Sequence, residues 1–445
     1  MNWKGKKVLI LGLGQYPKGS GISSAIFLAK QGAILRVTDQ KKENDLKANV
    51  TRLRRFKNIK FILGKHRDED IRWADVIVRN PRVRPSSKEM LLASKLGKKI
   101  ESDITLFLEK CPCTVIGVTG TRGKSTTSTL ISEMLKASGK RVWLGGNILV
   151  SPLTFLKNVK PSDIVVLELS SWQLETTGSA GISPHVAVVT NLMRDHLNSY
   201  EGMEDYAEAK AQIFRHQKPN DVLIVNGDDP YCRVFAGQAP GKVLRFSKRK
   251  SPIKKSDVKI PGEHNFLNAS AAALAAMSSG ASKASIKKTL KSFNGLPHRQ
   301  EIVAIKNKVI YVNDTTATTP DGAIAAIKTF YKKEQTIHMI VGGADKELEF
   351  DVLAREMKRY RVDVAVLPGT AYAKLSESLE DAKVKYRNVS SLKEAVDNLV
   401  GRSKSGDVII LSPACASFGL FKNEFDRGEQ FKNLVNKLKS GVLPR

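Results

Sequence analysis

The sequence predicts three consecutive α/β domains with mostly parallel sheets, and three observations carry that prediction. Short β-branched runs alternate with helix-like segments along the whole chain, which is the pattern of parallel strands covered by helices. At 445 residues the chain is too long for one ordinary core. At 41% hydrophobic residues it is also too apolar to stay disordered.

Taken in order, Lys7 to Gly14 reads as a buried strand ending in glycines. The apolar-periodic stretch Ser23 to Gln31 and a second strand, Leu35 to Asp39, complete a βαβ unit with an acidic residue at the end of its second strand. Ile59 to Leu63 and Asp75 to Val78 continue a first domain over residues 1–110, and Cys111-Pro-Cys113 punctuates it. A second domain, 111–298, opens with the strand Thr114 to Thr119 and carries strands at Ile164 to Leu169, Val186 to Asn191 and Val222 to Asn226. The basic stretch Arg245 to Lys259 and an alanine-rich helix, Asn268 to Met277, close it toward Pro297. A third domain, 299–445, has strands at Val309 to Asn313, Thr336 to Val341, Val364 to Leu367 and Val408 to Leu411. No repeat of fixed period and no low-complexity tract interrupts the pattern.

Composition narrows the function. Four scattered cysteines, with no CxxC pair, argue against a disulfide-stapled secreted scaffold and for a reducing cytoplasm. There is no 18-residue apolar run, and the first residues lead straight into a strand-like stretch, so neither membrane insertion nor export is expected. The net charge of +29 invites a nucleic-acid hypothesis. However, the excess is spread over the chain: 25 Lys and Arg against 11 Asp and Glu in residues 1–110, 24 against 14 in 111–298, and 24 against 19 in 299–445. Only 7% of residues are aromatic, so a basic stripe with interleaved stacking residues is lacking, and a lysine-rich solvated surface is the better reading of most of the charge.

The strongest local signal is Gly117-Val-Thr-Gly-Thr-Arg-Gly-Lys-Ser125, which follows a strand and opens a helix. Glycines there let backbone N–H groups turn inward around phosphate oxygens, and the helix N-terminus adds partial positive charge. In that P-loop role, Lys124 reaches the β- and γ-phosphates and Ser125 offers its hydroxyl to Mg²⁺. The general pattern wants glycine where Val118 stands; here the glycines fall at 117, 120 and 123. Two later strands end in Glu168 and, through Thr190-Asn-Leu-Met-Arg-Asp-His196, in Asp195 and His196. Strand ends of this kind converge on the ligand crevice of an open parallel sheet, and a hard cation bridging phosphates wants such a carboxylate. By contrast, Gly12-Leu-Gly14 is weak evidence for a dinucleotide, because Pro17 stands where a third glycine is needed.

Together with Glu168-Leu-Ser-Ser-Trp-Gln-Leu174, Tyr206-Ala-Glu-Ala-Lys210, His264-Asn265 with Asn268, Pro297-His-Arg299 and Asn313-Asp314, these motifs occur in the order seen in the Mur ligases, which the chain resembles over essentially its whole length. These are ATP-dependent amide ligases that build the peptidoglycan stem peptide. The run Leu411-Ser-Pro-Ala-Cys-Ala-Ser-Phe418, with Phe421-Lys-Asn423 and Arg427-Gly-Glu-Gln-Phe431, is most similar to members that add D-glutamate.

The resemblance implies Rossmann-like first and third domains around a P-loop domain, and a monomeric cytoplasmic enzyme joining D-glutamate to UDP-N-acetylmuramoyl-L-alanine through an acyl phosphate. It implies that Gly120, Thr121, Gly123, Lys124, Ser125 and Thr126 cradle ATP, with His264, Asn265, Asn268, Arg299 and Asp314 completing the nucleotide site between the second and third domains. Two Mg²⁺ ions fall to Ser125, Glu168, His196 and Lys210, the lysine being carbamylated into a carboxylate-like ligand. Lys124, His196 and Lys210 are the catalytic candidates. Asp39 and Asn147 contact the UDP-sugar; Thr318, Lys346, Ser417 and Phe418 hold D-glutamate. Departures from the family pattern at Asn80-Pro-Arg82, Thr316 and Gly419 bear on donor and acceptor choice. The alternatives are a Mur-type ligase with another donor or acceptor, including a folylpolyglutamate synthase-like one, and a basic nucleic-acid-binding ATPase.

Overall fold

The computed structural model describes residues 2–148, 150–195 and 199–438. Residues 1–258 with 264–292 form one compact unit, and 259–263 with 293–445 form a second.

The first unit holds two sheets. In the first sheet, β1 (Lys7–Leu11), β2 (Ile34–Asp39), β3 (Ile59–Leu63), β4 (Val76–Arg79) and β5 (Lys99–Glu101) are all parallel, in the order β3-β2-β1-β4-β5. Alternate residues of β1 serve opposite faces: Val8 and Ile10 pack into the large core, Leu9 and Leu11 into a smaller one with Ile77 and Met90. That is why the strand reads as an unbroken apolar run and not as an alternating one. The second sheet runs β6 (Thr114–Thr119), β7 (Val142–Gly146), β8 (Ile164–Glu168), β9 (Val186–Val189), β10 (Val222–Asn226) and β11 (Lys242–Phe246), in the order β11-β10-β9-β6-β8-β7, again parallel throughout. One contiguous apolar core, from Trp3 through Phe107 to Phe235, serves both sheets. In each sheet the chain leaves a central strand, β1 or β6, to opposite sides, and this opens a crevice at the carboxyl ends of the strands.

The second unit is a six-stranded sheet: β12 (Glu301–Lys306), β13 (Val309–Asn313), β14 (Ile337–Gly342), β15 (Asp363–Leu367), β16 (Tyr386–Asn388) and β17 (Val408–Leu411), in the order β12-β13-β17-β14-β15-β16. Only β12 pairs antiparallel, against β13. Both faces are buried under helices: Met339, Val364 and Ile410 on one, Ile340, Ala365 and Ile409 on the other. Among the described residues, no helix is long and apolar enough to cross a membrane.

One buried polar group in this unit sets a pH dependence of stability. The ring of His338 on β14 lies between the carboxylates of Asp363 (2.8 Å) and Asp407 (3.0 Å). Burial pulls its pKa down, but the two carboxylates outweigh burial and raise it above its ordinary 6.5. A raised histidine contributes stability in full below 6.5 and loses it as pH climbs through the folded value. The difference in thermal midpoint between wild type and His338→Gln is therefore expected to be largest at pH 6 and to shrink by pH 8.5. A difference that stays constant across that range would remove the ion triad as its cause.

Candidate active site

The phosphate-loop sequence lies at the crevice of the second sheet. β6 ends at Thr119, the loop Gly120 to Gly123 follows, and the helix Lys124–Ala137 begins at once. Gly120 has φ +138°, and a Cβ there would stand 2.0 Å from Thr190 Oγ1; at Gly123 (φ +84°) it would stand 2.1 Å from Asn268 Oδ1. Neither position admits a side chain, which is the physical content of the two glycines. Residues that follow β9 clamp the loop. Thr190 Oγ1 donates to the Arg122 carbonyl (2.6 Å), Arg122 N–H donates to Asn191 Oδ1 (3.0 Å), and Thr121 N–H donates to the Asn191 carbonyl (2.9 Å). Lys124 Nζ donates to the carbonyls of Gly120 (2.9 Å) and Thr121 (3.0 Å). Ser125 and Thr126 follow in the first helical turn, both half-buried. Asn268 packs on Gly123 from the helix Glu263–Ser278, with His264 exposed one turn earlier and Asn265 half-buried between them.

Lys210, on the helix Met203–Ala211, is 1% exposed. Its Nζ donates to the Gly120 carbonyl (3.1 Å) and sits 4.6 Å from the centre of the Tyr206 ring, whose hydroxyl is 3.3 Å from Thr121 Oγ1. Burial pushes the ammonium well below the usual lysine range; the like charge of Lys124 adds to the push, and Asp195 and Glu168 only partly oppose it. Such surroundings favour the neutral, nucleophilic form of the amine over the ammonium. Glu168 ends β8, also buried. Its Oε1 accepts from Asn147 Nδ2 (3.0 Å), while its Oε2 is buried with no hydrogen-bond partner among the described residues. An orphaned carboxylate oxygen in such a place costs free energy unless a ligand satisfies it. A hard divalent cation suits that oxygen, the Ser125 hydroxyl and phosphate oxygens alike, so the donor set fits Mg²⁺. Among the described residues no three His, Cys, Asp or Glu side chains cluster as a metal site on their own. His196 lies outside the described residues. Its neighbour Asp195 is 3.9 Å from the Arg122 guanidinium.

The crevice of the first sheet is a cleft of about 670 Å³, lined among others by Gly14, Asp39, Arg82, Asn147 and Gln173. Asp39 turns both oxygens to the backbone, accepting from Gly14 N–H (3.0 Å) and Lys41 N–H (2.9 Å), so it shapes the floor of the cleft. Asn80 bonds the Gly12 carbonyl through Nδ2 (3.1 Å) and caps Arg82 N–H (3.1 Å), placing Arg82 on the rim near the Tyr16 ring. Asn147 lines this cleft while holding Glu168.

In the second unit, Asp314 follows β13 and accepts from Ser412 Oγ (2.8 Å) and Gln300 N–H (3.1 Å); burial pushes its carboxyl up to about 7 against those bonds and the charge of Arg299. Lys346 Nζ donates to Thr318 Oγ1 (3.2 Å), which brings two of the expected D-glutamate ligands together. A backbone pair between Ala344 and Ala416 (2.9 and 3.1 Å) lays the Lys346 loop beside buried Ser417, and Phe418 projects at 67% exposure. The side chain that secures these loops stands in the C-terminal motif, where the sequence assigns it no role. Arg427, fully buried, donates to Thr315 Oγ1 (3.0 Å) and to the carbonyls of Thr315 (3.0 Å), Cys415 (3.3 Å) and Ala416 (3.4 Å). Burial brings its pKa down to about 10, so it remains charged at neutral pH. Its signal was the i, i+4, i+8 spacing with Phe431 and Val435 on the buried face of the helix Glu424–Lys437. Arg427→Met is expected to cost about 2–4 kcal/mol in denaturant unfolding by leaving these acceptors unpaired; a loss under about 0.5 kcal/mol would show that the loops do not depend on it.

A glycine-and-lysine cradle at the turn of a parallel sheet, beside a buried carboxylate, defines a nucleotide-dependent α/β enzyme of the P-loop class. Three family models match the chain: "Mur ligase MurD-like, N-terminal domain" over residues 6–102, "Mur ligase middle domain" over 118–256, and "Mur ligase, glutamate ligase domain" over 298–415. The chain is 39% identical to the UDP-N-acetylmuramoylalanine–D-glutamate ligase of Roseiflexus sp., covering 98% of this chain and 99% of that one. It is 36% identical to the ligase of the same name from Borreliella burgdorferi, with 98% of each covered. Among solved structures it is similar in fold to the UDP-N-acetylmuramate–alanine ligase of Thermotoga maritima (TM-score 0.60, 19% identity, 98% of this chain and 100% of that one). A D-alanyl-D-alanyl-adding ligase from Acinetobacter baumannii is comparable (TM-score 0.62, 17% identity, 97% and 93%). The chain belongs to the Mur ligase family and is an ATP-dependent ligase that forms amide bonds.

Proposed function

We propose that this chain joins D-glutamate to UDP-N-acetylmuramoyl-L-alanine in the cytoplasm, as a monomer, with residues 1–110 taking the UDP-sugar, 111–298 ATP and 299–445 the amino acid. Relatives named for that reaction, matching at 36–39% identity over 98% of the chain, support the choice of substrates. The observation that carries the chemistry is the convergence of Lys124, Lys210 and the unpartnered oxygen of Glu168 on one phosphate loop.

In this reading the L-alanine carboxylate oxygen attacks the γ-phosphorus of ATP and ADP leaves, giving an acyl phosphate. The D-glutamate amine then attacks the acyl carbon, phosphate departs, and the amine gives up a proton. Phosphoryl transfer needs positioning and charge neutralisation more than covalent help, which suits a site built of cradle and cations. Lys124 and the loop amides bind phosphate, and Asn268, His264 and Asn265, with Arg299 and Asp314, bind the nucleotide. Mg²⁺, two ions in this reading, supplies neutralisation of phosphate charge and is held by Ser125, Glu168, His196 and Lys210. The buried amine of Lys210, disfavoured as an ammonium, suits reaction with carbon dioxide to a carbamate, which would bring an anionic oxygen donor to the loop. Lys346, Thr318 and Ser417 grip the two carboxylates of D-glutamate, with Phe418 beside them.

Phosphate release measured with ATP, UDP-N-acetylmuramoyl-L-alanine and each of D-glutamate, L-alanine, glycine and diaminopimelate tests the assignment. Release is expected with D-glutamate alone among them. Release that ignores D-glutamate, or that rises with DNA or RNA and not with the UDP-sugar, would sink it.

A further inference from the structure

The first unit carries a second cleft, of about 530 Å³, that shares no lining residue with the 670 Å³ cleft or the phosphate loop. Ile26, Phe27, Leu153 and Leu156 give it an apolar floor. Lys30, Arg52, Arg55, Lys110 and Lys157 stand around it, all exposed, and among the described residues no acidic one lines it. Five cations around an apolar floor repel one another and leave apolar surface in water, and a ligand with an apolar body and an anionic head relieves both costs. The volume is that of a small-molecule site. A polynucleotide would instead need a continuous basic track with stacking rings.

The walls of this cleft also hold the loop that borders the other one. The Arg52 guanidinium donates to the Pro17 carbonyl, and Ser151 N–H, two residues before Leu153, donates to the Lys18 carbonyl (2.8 Å). Gln15, Tyr16 and Gly19 of that same loop line the 670 Å³ cleft.

We propose that the 530 Å³ cleft binds a monomeric amphiphilic anion, an apolar body carrying a single phosphate or carboxylate head, and that its occupancy changes ligand affinity in the 670 Å³ cleft through the Arg52–Pro17 contact. The head draws Arg52 away from Pro17, and the loop loses one of its anchors. The coupling half rests on the reading of the larger cleft as the UDP site, whereas the binding half stands without it.

Calorimetry on the full chain tests both. Octyl phosphate below its micelle concentration is expected to bind with a Kd on the order of 100 µM, and the double charge reversal Lys30→Glu with Lys157→Glu to weaken it at least tenfold. Inorganic phosphate or octyl glucoside binding as tightly, equal binding to the reversed variant, or binding only to phosphatidylglycerol vesicles would each overturn the site. With octyl phosphate saturating, the Kd for UDP is expected to shift at least twofold; an unchanged Kd, with octyl phosphate bound, overturns the coupling. If UDP does not bind at all, the donor-site reading fails, and octyl phosphate binding still decides the site itself.

Discussion

Lys210→Ala is expected to lose ligase turnover by about 10²-fold or more and to regain part of it when millimolar formate or acetate is added. The argument starts from burial. A lysine 1% exposed beside Lys124 is disfavoured as an ammonium, and in its unmodified form it brings no metal-binding oxygen to the loop. As a carbamate it would face the unpartnered Glu168 side of the cradle with an oxygen anion. The alanine variant leaves a vacancy of similar width, and a small carboxylate can supply that oxygen from solution. Steady-state phosphate release with and without the added acid reads the outcome. Undiminished turnover in the variant would remove Lys210 from the chemistry. Loss without any rescue, together with an unchanged mass for wild-type Lys210 peptide at elevated carbon dioxide, would leave it a packing residue only.

Lys124→Ala should cost more, about 10³-fold in turnover or about 4 kcal/mol of transition-state stabilisation, because one ammonium neutralises charge on the transferred phosphoryl group. The fold should survive. Lys124 is only half-buried, and its two bonds to the Gly120 and Thr121 carbonyls brace a loop that Thr190 and Asn191 already clamp. Turnover near wild type would refute the cradle assignment. A collapsed thermal transition would show that the lysine serves the loop before it serves phosphate.

What was legible in the sequence follows from where each element sits. β3, β6, β10, β13 and β17 match the expected strands residue for residue, and except for β3 they are interior, buried on both faces and therefore continuous in apolar character. The strands that pattern alone did not show, β5, β7, β11, β12 and β16, are all at sheet edges. β5 and β16 have three residues each, and β11 and β12 carry charged residues with their apolar ones, Lys242 and Arg245 in β11 and Glu301 and Lys306 in β12, as edges exposed to water do. The site divides in the same way. Lys124, Ser125 and Glu168 were readable because a loop and a strand end put their chemistry in adjacent residues. Arg427, Thr190 and Asn191 act on partners far away in sequence, with Arg427 reaching back to Thr315, so no local pattern could assign their roles. Asp39 stands at its expected strand end and lines the cleft, and its bonds to the Gly14 and Lys41 backbone are a fact only the fold can show.

The Gly120 carbonyl, which accepts from both Lys124 and Lys210, has a consequence for selectivity. Both side chains already donate to one backbone oxygen, so an anion entering the loop competes with a carbonyl at hydrogen-bond distance. A lone phosphate ion offers little more than that carbonyl and must also shed its water. A polyphosphate arriving with its metal meets the loop amides, the ammonium and the waiting carboxylate together. Inorganic phosphate is therefore expected to compete poorly with ATP for this loop, which inhibition of turnover by added phosphate would measure.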